Sequence, residues 1–340
     1  MPDNRTHLIE EWNPVNPAFD PNEPMQVGGQ AIIEGVMMRA KGMIATAVRR
    51  PNGSIEVKKE AFRSFTERHP IFNVPVVRGA VGLIEMMYIG IKTLNYSAEV
   101  AISDASGGSD PESGEKKGPS AISLTVTLVL AFALGLGVFF FLPLFLATKM
   151  FRIEQQPLMF NFVAGLIRIA ILLAYLYSIS LMKDVHRLFQ YHGAEHKAVY
   201  TFEQNAPLEV SSAMRFTRFH PRCGTSFILL VMFVSIVLFS ALDAVVLLTA
   251  GSLTLTLRLM THIPFVPIVG GLSYEVLKFS ARHVASPIGR IIAAPGLWLQ
   301  RITTKEPDES HMEVSLAAIR AALRLDEVPS AATLSSAGGR

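Results

Sequence analysis

Apolar and polar positions divide the chain into a short-period front, a polar interruption and a back part of long apolar runs. Residues 1–24 hold Pro14, Pro17, Pro21 and Pro24 with no apolar period, and read as a flexible leader without a signal-peptide core. Over residues 28–59 the runs Ala31-Ile32-Ile33 and Ile44-Ala45-Thr46-Ala47-Val48 precede a Pro51-Asn52-Gly53-Ser54 turn and Ile55-Glu56-Val57, which predicts a small β-hairpin unit. Residues 76–103 read as a helix whose stripe is Val81, Ile84, Met87, Tyr88, Ile91 and Leu94. Arg78, Glu85, Lys92 and Glu99 interrupt it, so it is a core or an interfacial helix and not a full span. A Gly, Ser, Asp and Lys tract at 104–120 has the composition of a disordered linker.

Apolar stretches long enough for membrane helices follow. Residues 122–146 carry no charge, 160–182 contain Arg168, and 227–250 contain Asp243. A weaker stretch at 263–279 is broken by Pro264, Pro267, Gly270 and Gly271 and carries Glu275 and Lys278, so it reads as kinked or re-entrant. An unpaired charge costs about 2.5–3.5 kcal/mol at the membrane centre. Arg168 is therefore expected to pair with Asp243, and Glu275 with Lys278. Lys183, Arg187, Lys197, Arg215, Arg218 and Arg222 lie between the second and third spans, whereas the link between the first two holds only Lys149 and Arg152 and that after the third only Arg258. The positive-inside rule then places both termini in the cytosol. Residues 291–301, with Trp298, read as lying along the membrane surface, and Ser310-x-x-Glu313 has capping-box spacing ahead of Met312, Leu316, Ile319 and Leu323.

The expected fold is a mainly α-helical multi-pass membrane protein of about four transmembrane helices, with a small cytosolic N-terminal α+β unit and C-terminal amphipathic helices. Its expected divisions are a leader (1–24), a hairpin-plus-helix unit (25–103), a linker (104–120), spans one and two (121–183), a cytosolic site segment (184–225), spans three and four (226–282), interfacial and cytosolic helices (283–325) and a disordered tail (326–340).

Composition narrows the class. Of the 340 residues 50% are hydrophobic, which suits a membrane protein, and the +3 formal charge is dispersed among acidic residues, which gives nucleic-acid binding no support. A single cysteine excludes an internal disulfide and a Cys-x-x-Cys zinc ribbon, but leaves a histidine-rich metal site open. Gly28, Gly29 and Gly35 match no phosphate-loop order and read as turn or bulge glycines, with Glu34 and Arg39 beside them unplaced.

The chemistry concentrates in Tyr191-His192-Gly193-Ala194-Glu195-His196-Lys197. On a helix, His192 and His196 fall about 40° apart and Glu195 about 60° to one side of His192. His-x-x-Glu-His is the inverted zincin order, in which both histidines hold zinc and the glutamate activates water. Glu203 returns to within about 20° of His192 and is the better local third ligand, His186 being about 120° off that face. His220-Pro221-Arg222-Cys223 brings another imidazole and the thiol to the start of the third span, Pro221 suiting a first helical position. Gly193 weakens the helix between the two histidines, unless it marks close backbone packing.

Four stretches in the same order resemble the bacterial YqhQ-like family. They are residues 28–39 (GGQAIIEGVMMR), 191–197 (YHGAEHK), 220–226 (HPRCGTS) and 295–304 (PGLWLQRITT). The resemblance implies a membrane protein with a domain of unknown function, described as a predicted metal-dependent enzyme. Two functions compete. In the first, a cytosol-facing enzyme of the bacterial plasma membrane, a hydrolase of lipid, peptide or membrane-protein substrates, holds a divalent transition metal, zinc being the best fit, on His192 and His196. Glu203, His220 or Cys223 completes the site and Glu195 serves as base. In the second, a non-catalytic membrane scaffold or assembly factor carries a closed structural set of His192, His196, His220 and Cys223. A transporter using Asp243 and Glu275 is a third reading. The sequence names no protein partner.

Overall fold

The structure, a computed structural model, describes residues 27–105, 121–283 and 286–325. Strands β1 (Gly28–Ile32), β2 (Gly35–Ala40), β3 (Met43–Arg49) and β4 (Ile55–Ala61) form an antiparallel meander in that order. The helices are α1 (Phe65–Arg68), α2 (Val77–Ala105), α3 (Ala121–Leu136), α4 (Leu142–Phe151), α5 (Pro157–Ser180), α6 (Lys183–Glu203), α7 (Val210–Ala213), α8 (Gly224–Ala250), α9 (Leu255–Arg282), α10 (Pro287–Thr303) and α11 (Glu309–Ala322). The expected leader and tail lie outside the described residues. So does the linker, apart from residues 104–105, which end α2.

The expected hairpin is β3–β4, whose turn places Gly53 at φ +86° and lets Asn52 Oδ1 accept the Ser54 amide at 2.9 Å. The first two strands enlarge that unit. Ala31 and Ile32 of the expected unit lie in β1, and the signal of β2 is weak because the sheet is covered on both sides there. Val36, Met38, Ala45 and Ala47 share a core with α6 and α11, whereas Met37 and Ile44 meet Ile89 of α2, and Ile32 and Val48 meet Val100. Burial on both faces removes the alternation that marks a half-exposed strand. Segments far apart in sequence, the front sheet, α6 and α11, thus close one layer.

Among the described residues four helices are long and apolar enough to cross a membrane: residues 129–151 through the α3–α4 junction, α5, α8 and α9. The first contains a π-helical turn, Gly137–Phe141. The carbonyl of Phe139 would ordinarily receive the amide of residue 143, but that is Pro143 and has none. Arg168 Nε donates to this carbonyl at 2.9 Å instead, and its Nη1 to Ser235 Oγ at 3.1 Å.

Asp243 therefore has other partners than expected. Arg258 Nε (2.8 Å) and Asn161 Nδ2 (2.7 Å) donate to its Oδ2, and His262 Nε2 lies 2.9 Å from its Oδ1. Phe160 lies under the Arg258 guanidinium at 3.4 Å, and Phe239 stacks on His262 at 4.1 Å. Arg258 is a fully buried residue of α9 and not a loop cation. Glu275 pairs with Arg78 of α2 at 2.7 and 2.5 Å, the forked guanidinium making two parallel bonds that Lys278 could not. The weak fourth stretch is one helix, α9, running through both prolines.

Two helix starts also differ from expectation. Asp308, not Ser310, caps α11, accepting the His311 amide at 3.1 Å, and Glu313 pairs with Arg49 at 2.5 Å. Cys223, not Pro221, marks the start of α8, as its N-cap. α10 packs against α8 and α9 and leaves Trp298 half exposed.

Asp243→Ala would strand Arg258 among apolar helices and should lower stability by about 3–5 kcal/mol, whereas Asp243→Leu with Arg258→Met should recover most of that loss. Unfolding in detergent checks both. Equal stability of Asp243→Ala and the wild type would contradict the assignment.

Candidate metal centre

The site is built on α6, and the front sheet fixes where α6 lies. Glu34, in the β1–β2 turn, accepts two bonds from Arg187 at 2.5 and 2.6 Å, and its Oε2 lies 3.3 Å from the Tyr191 hydroxyl. A Cβ on Gly29 would stand 3.0 Å from Glu195 Cγ and 2.5 Å from the Met37 carbonyl, so β1 runs against the catalytic candidate itself. Gly29 is a close-approach strand residue and not a turn glycine. Gly193 is explained likewise, since a Cβ there would meet the Lys305 carbonyl at 2.1 Å, beside the Lys305 amide bond to the Phe189 carbonyl at 2.8 Å. Arg39 turns away, to Met86 Sδ at 3.2 Å and the Phe62 ring.

The ligand atoms of His192, His196 and Cys223 all lie within 4.8 Å of one another. His192 Nε2 is 3.2 Å from Cys223 Sγ, and the two imidazole centroids are 4.5 Å apart. Both Nδ1 atoms donate outward, His192 to the Thr303 carbonyl at 2.8 Å and His196 to the Arg218 carbonyl at 2.5 Å. With that proton fixed on Nδ1, each Nε2 faces the cluster and is the nitrogen left to bind a metal, as in metal-bound histidines. His196 Nε2 is buried with no hydrogen-bond partner, an orphan atom that a metal would satisfy. Glu195 is buried, with Oε2 3.5 Å from that Nε2. His192 is the least buried member of the set.

Glu203 and His220 form a separate layer. Glu203 shares the His192 face in projection, but eleven residues of helix put it roughly 16 Å along the axis. It instead meets His220 Nε2 at 3.2 Å and the Arg222 guanidinium. His220 Nδ1 accepts the Arg222 amide at 3.3 Å, so both ring nitrogens are engaged. Sequence reasoning missed Gln300. Its buried amide accepts the His220 N–H at 2.8 Å, donates to the His220 carbonyl at 2.8 Å and reaches Ser226 Oγ at 3.1 Å, fixing the loop that delivers Cys223. Lys197 was missed too. It is buried against Glu306, which also binds Arg218, the residue whose carbonyl holds His196.

A family model described as "Protein of unknown function (DUF1385)" matches residues 74–325. The chain belongs to the DUF1385 family. The uncharacterized protein YqhQ of Bacillus subtilis (strain 168) is 35% identical over 306 residues, which cover 89% of this chain and 94% of that protein. The YqhQ-like resemblance read from the motifs therefore holds over most of the chain. No solved structure matches.

Charge in this DUF1385 site follows from its packing. Burial works against a charge on His192, yet the adjacent Cys223 and, less strongly, Glu195 raise its pKa to about 9. Burial also disfavours a Cys223 thiolate, but the two imidazoles hold its pKa well below the usual thiol range. The α8 N-terminus favours the anion further, Thr225 N donating to Sγ at 3.4 Å. Burial pushes the His220 pKa down.

The metal-free protein should therefore hold an imidazolium–thiolate pair at neutral pH. The His192 contribution is complete below the unfolded imidazole value of about 6.5 and is lost as pH rises through about 9; that of Cys223 is lost as pH falls through its lowered pKa. Titrating metal-free protein with Zn²⁺ in weak buffer at neutral pH should release about one proton per chain, from His192. The metal-free protein should also show the ultraviolet absorbance of a thiolate before zinc is added, and its absence at neutral pH would contradict the charge state. Gln300→Leu should weaken metal affinity about 10–100-fold through the loop, measured by competition with a chelating dye.

Proposed function

We propose that this protein is a membrane-embedded, metal-dependent hydrolase whose site faces the cytosol. The reading is carried by one observation, the convergence of His192 Nε2, His196 Nε2 and Cys223 Sγ, with both Nδ1 atoms tied to carbonyls. Two nitrogens and one thiolate suit zinc, and a three-residue set leaves a coordination position for water or substrate. A bound divalent metal supplies Lewis acidity and lowers the pKa of water. Glu195 takes the proton from the attacking water and returns it to the leaving group. Gln300 and the His220–Glu203 pair hold the loop, Lys197 and Glu306 hold the Arg218 segment, and Gly29 and Gly193 allow the close packing that keeps water from the back of the cluster. The engagement of both His220 nitrogens favours this open set over the closed four-ligand set of a scaffold.

Orientation follows from the cations. The site lies between α5 and α8, with Lys183, Arg187, Arg215 and Arg222. At the opposite ends of those helices the exposed cations are Lys149 and Arg152, fewer than on the site side, and Arg258 is withdrawn into the bundle. The positive-inside rule then puts the site and both termini in the cytosol, in the bacterial plasma membrane. A site at the membrane face suits a lipid, a peptide or a membrane-protein segment as substrate.

Detergent-purified protein should contain about one transition metal per chain, lost in the His192→Ala, His196→Ala variant. Glu195→Gln should keep that metal and reduce hydrolysis of a panel of ester, phosphoester and peptide reporters by about 10²–10⁴-fold. Wild-type protein still metal-free after reconstitution would overturn the proposal. Loss of metal in Glu195→Gln would make Glu195 a ligand instead of a base.

A further inference from the structure

The second half of the α1–α2 region has no place in the metal site, and its surface is unusual. Residues 70–77, Pro70-Ile71-Phe72-Asn73-Val74-Pro75-Val76-Val77, contain no charge. Ile71 is 79% exposed, and Phe72, Val74 and Val77 are exposed beside it. The exposed stripe continues up α2 through Leu83, Ile84, Met87, Tyr88, Ile91 and Leu94. Such a patch normally marks a surface that meets lipid or another protein.

Its position decides which. α2 is packed against α9, one of the four helices apolar enough to cross a membrane. The contact is close: a Cβ on Gly271 of α9 would lie 2.1 Å from the Val76 carbonyl, and one on Gly79 would lie 2.8 Å from the Gly271 carbonyl. Roughly 16 Å of helix separate Gly271 from Arg282 at the cytosolic end of α9, about half the thickness of a hydrocarbon core. The loop before α2 thus ends near the middle of α9 and not at its mouth. Val266, Ile268 and Phe279 of α9 are exposed apolar residues as well. The one charge carried down with the tip, Arg78, is neutralised by Glu275 of α9.

The chain returns from the tip on both sides. Glu85 of α2 accepts from Ser64 Oγ at 2.9 Å and the Phe65 amide at 2.7 Å, so residues 65–85 form a closed hairpin about one leaflet deep. Where it emerges, exposed Arg63 and Arg68, Lys92 paired with Glu60 at 2.8 Å, and Glu85 line one shallow depression with Tyr88. Basic and tyrosine side chains at that level suit the headgroup layer.

We propose that residues 65–91 form a re-entrant prong that enters the cytosolic leaflet beside α9, with lipid acyl chains covering Ile71, Phe72, Val74, Ile84 and Met87. The prong ties the front sheet, and through Gly29 and Glu34 the metal site, to the membrane surface. It rests on the reading of α9 as a transmembrane helix, and the test separates the two.

Single tryptophans at Ile71, Ile84, Val237 and Val57, each in a Trp12→Phe, Trp298→Phe background, would be reconstituted in phosphatidylcholine vesicles containing brominated acyl chains. Val237, exposed in the middle of α8, reports membrane integration, and Val57, on β4, reports the aqueous layer. The expected result is quenching of Ile71→Trp and Ile84→Trp comparable to Val237→Trp, with Val57→Trp unquenched. Quenching of Val237→Trp alone would overturn the prong and leave the spans standing. Failure of all four would overturn the transmembrane reading with it. Protection of Ile71→Trp and Ile84→Trp in protein that cross-links as a dimer through these positions would assign the patch to a second copy and also overturn the proposal.

Discussion

Two hydrogen bonds decide what the buried end of α6 can do. By giving their Nδ1 protons to the carbonyls of Thr303 and Arg218, His192 and His196 are held with both Nε2 atoms facing Cys223. Remove either carbonyl and the ring is free to rotate or to exchange its proton, and the convergence is lost. The two carbonyls come from different directions, one from the end of α10 and one from the loop ahead of α8. A polar helix segment is thereby clamped between chain segments far apart in sequence.

The rest of the molecule keeps that clamp rigid. The sheet and α11 bury one side of α6, and the Lys305–Pro307 segment crosses it at Gly193 with no room for a side chain. Below the site, α8 begins at Cys223 itself, so the thiolate sits where the helix dipole favours it and where the apolar bundle starts. At the far end of the bundle, Asp243, Arg258, His262 and Asn161 join α5, α8 and α9 through charges with no access to water. Such a network gives register more than stability, because exchanging its members for apolar residues is often close to neutral. A fixed register of α8 in turn fixes the height of Cys223.

The membrane-type helices and the His192, Glu195, His196 and Cys223 set were legible because hydropathy and i, i+4 spacing are properties of local sequence. The misjudged residues share a cause. Glu203 lies on the right face of a helical projection but far along the axis, and Arg168 and Asp243 sit at different heights of neighbouring helices; angle is written in the sequence, height in the bundle is not. Thr303 and Arg218 act through backbone carbonyls, which leave no side-chain signature. Gln300 lies in the fourth family-like stretch, and that was the only signal available for it. β2 was obscured because burial on both faces removed its alternation.

X-ray absorption at the metal edge of purified, metal-loaded protein tests the central claim most directly. The predicted spectrum has one sulfur at about 2.3 Å and two imidazole nitrogens at about 2.0–2.1 Å, with one further light atom. A first shell of nitrogen and oxygen alone, without sulfur, would contradict the His192–His196–Cys223 site.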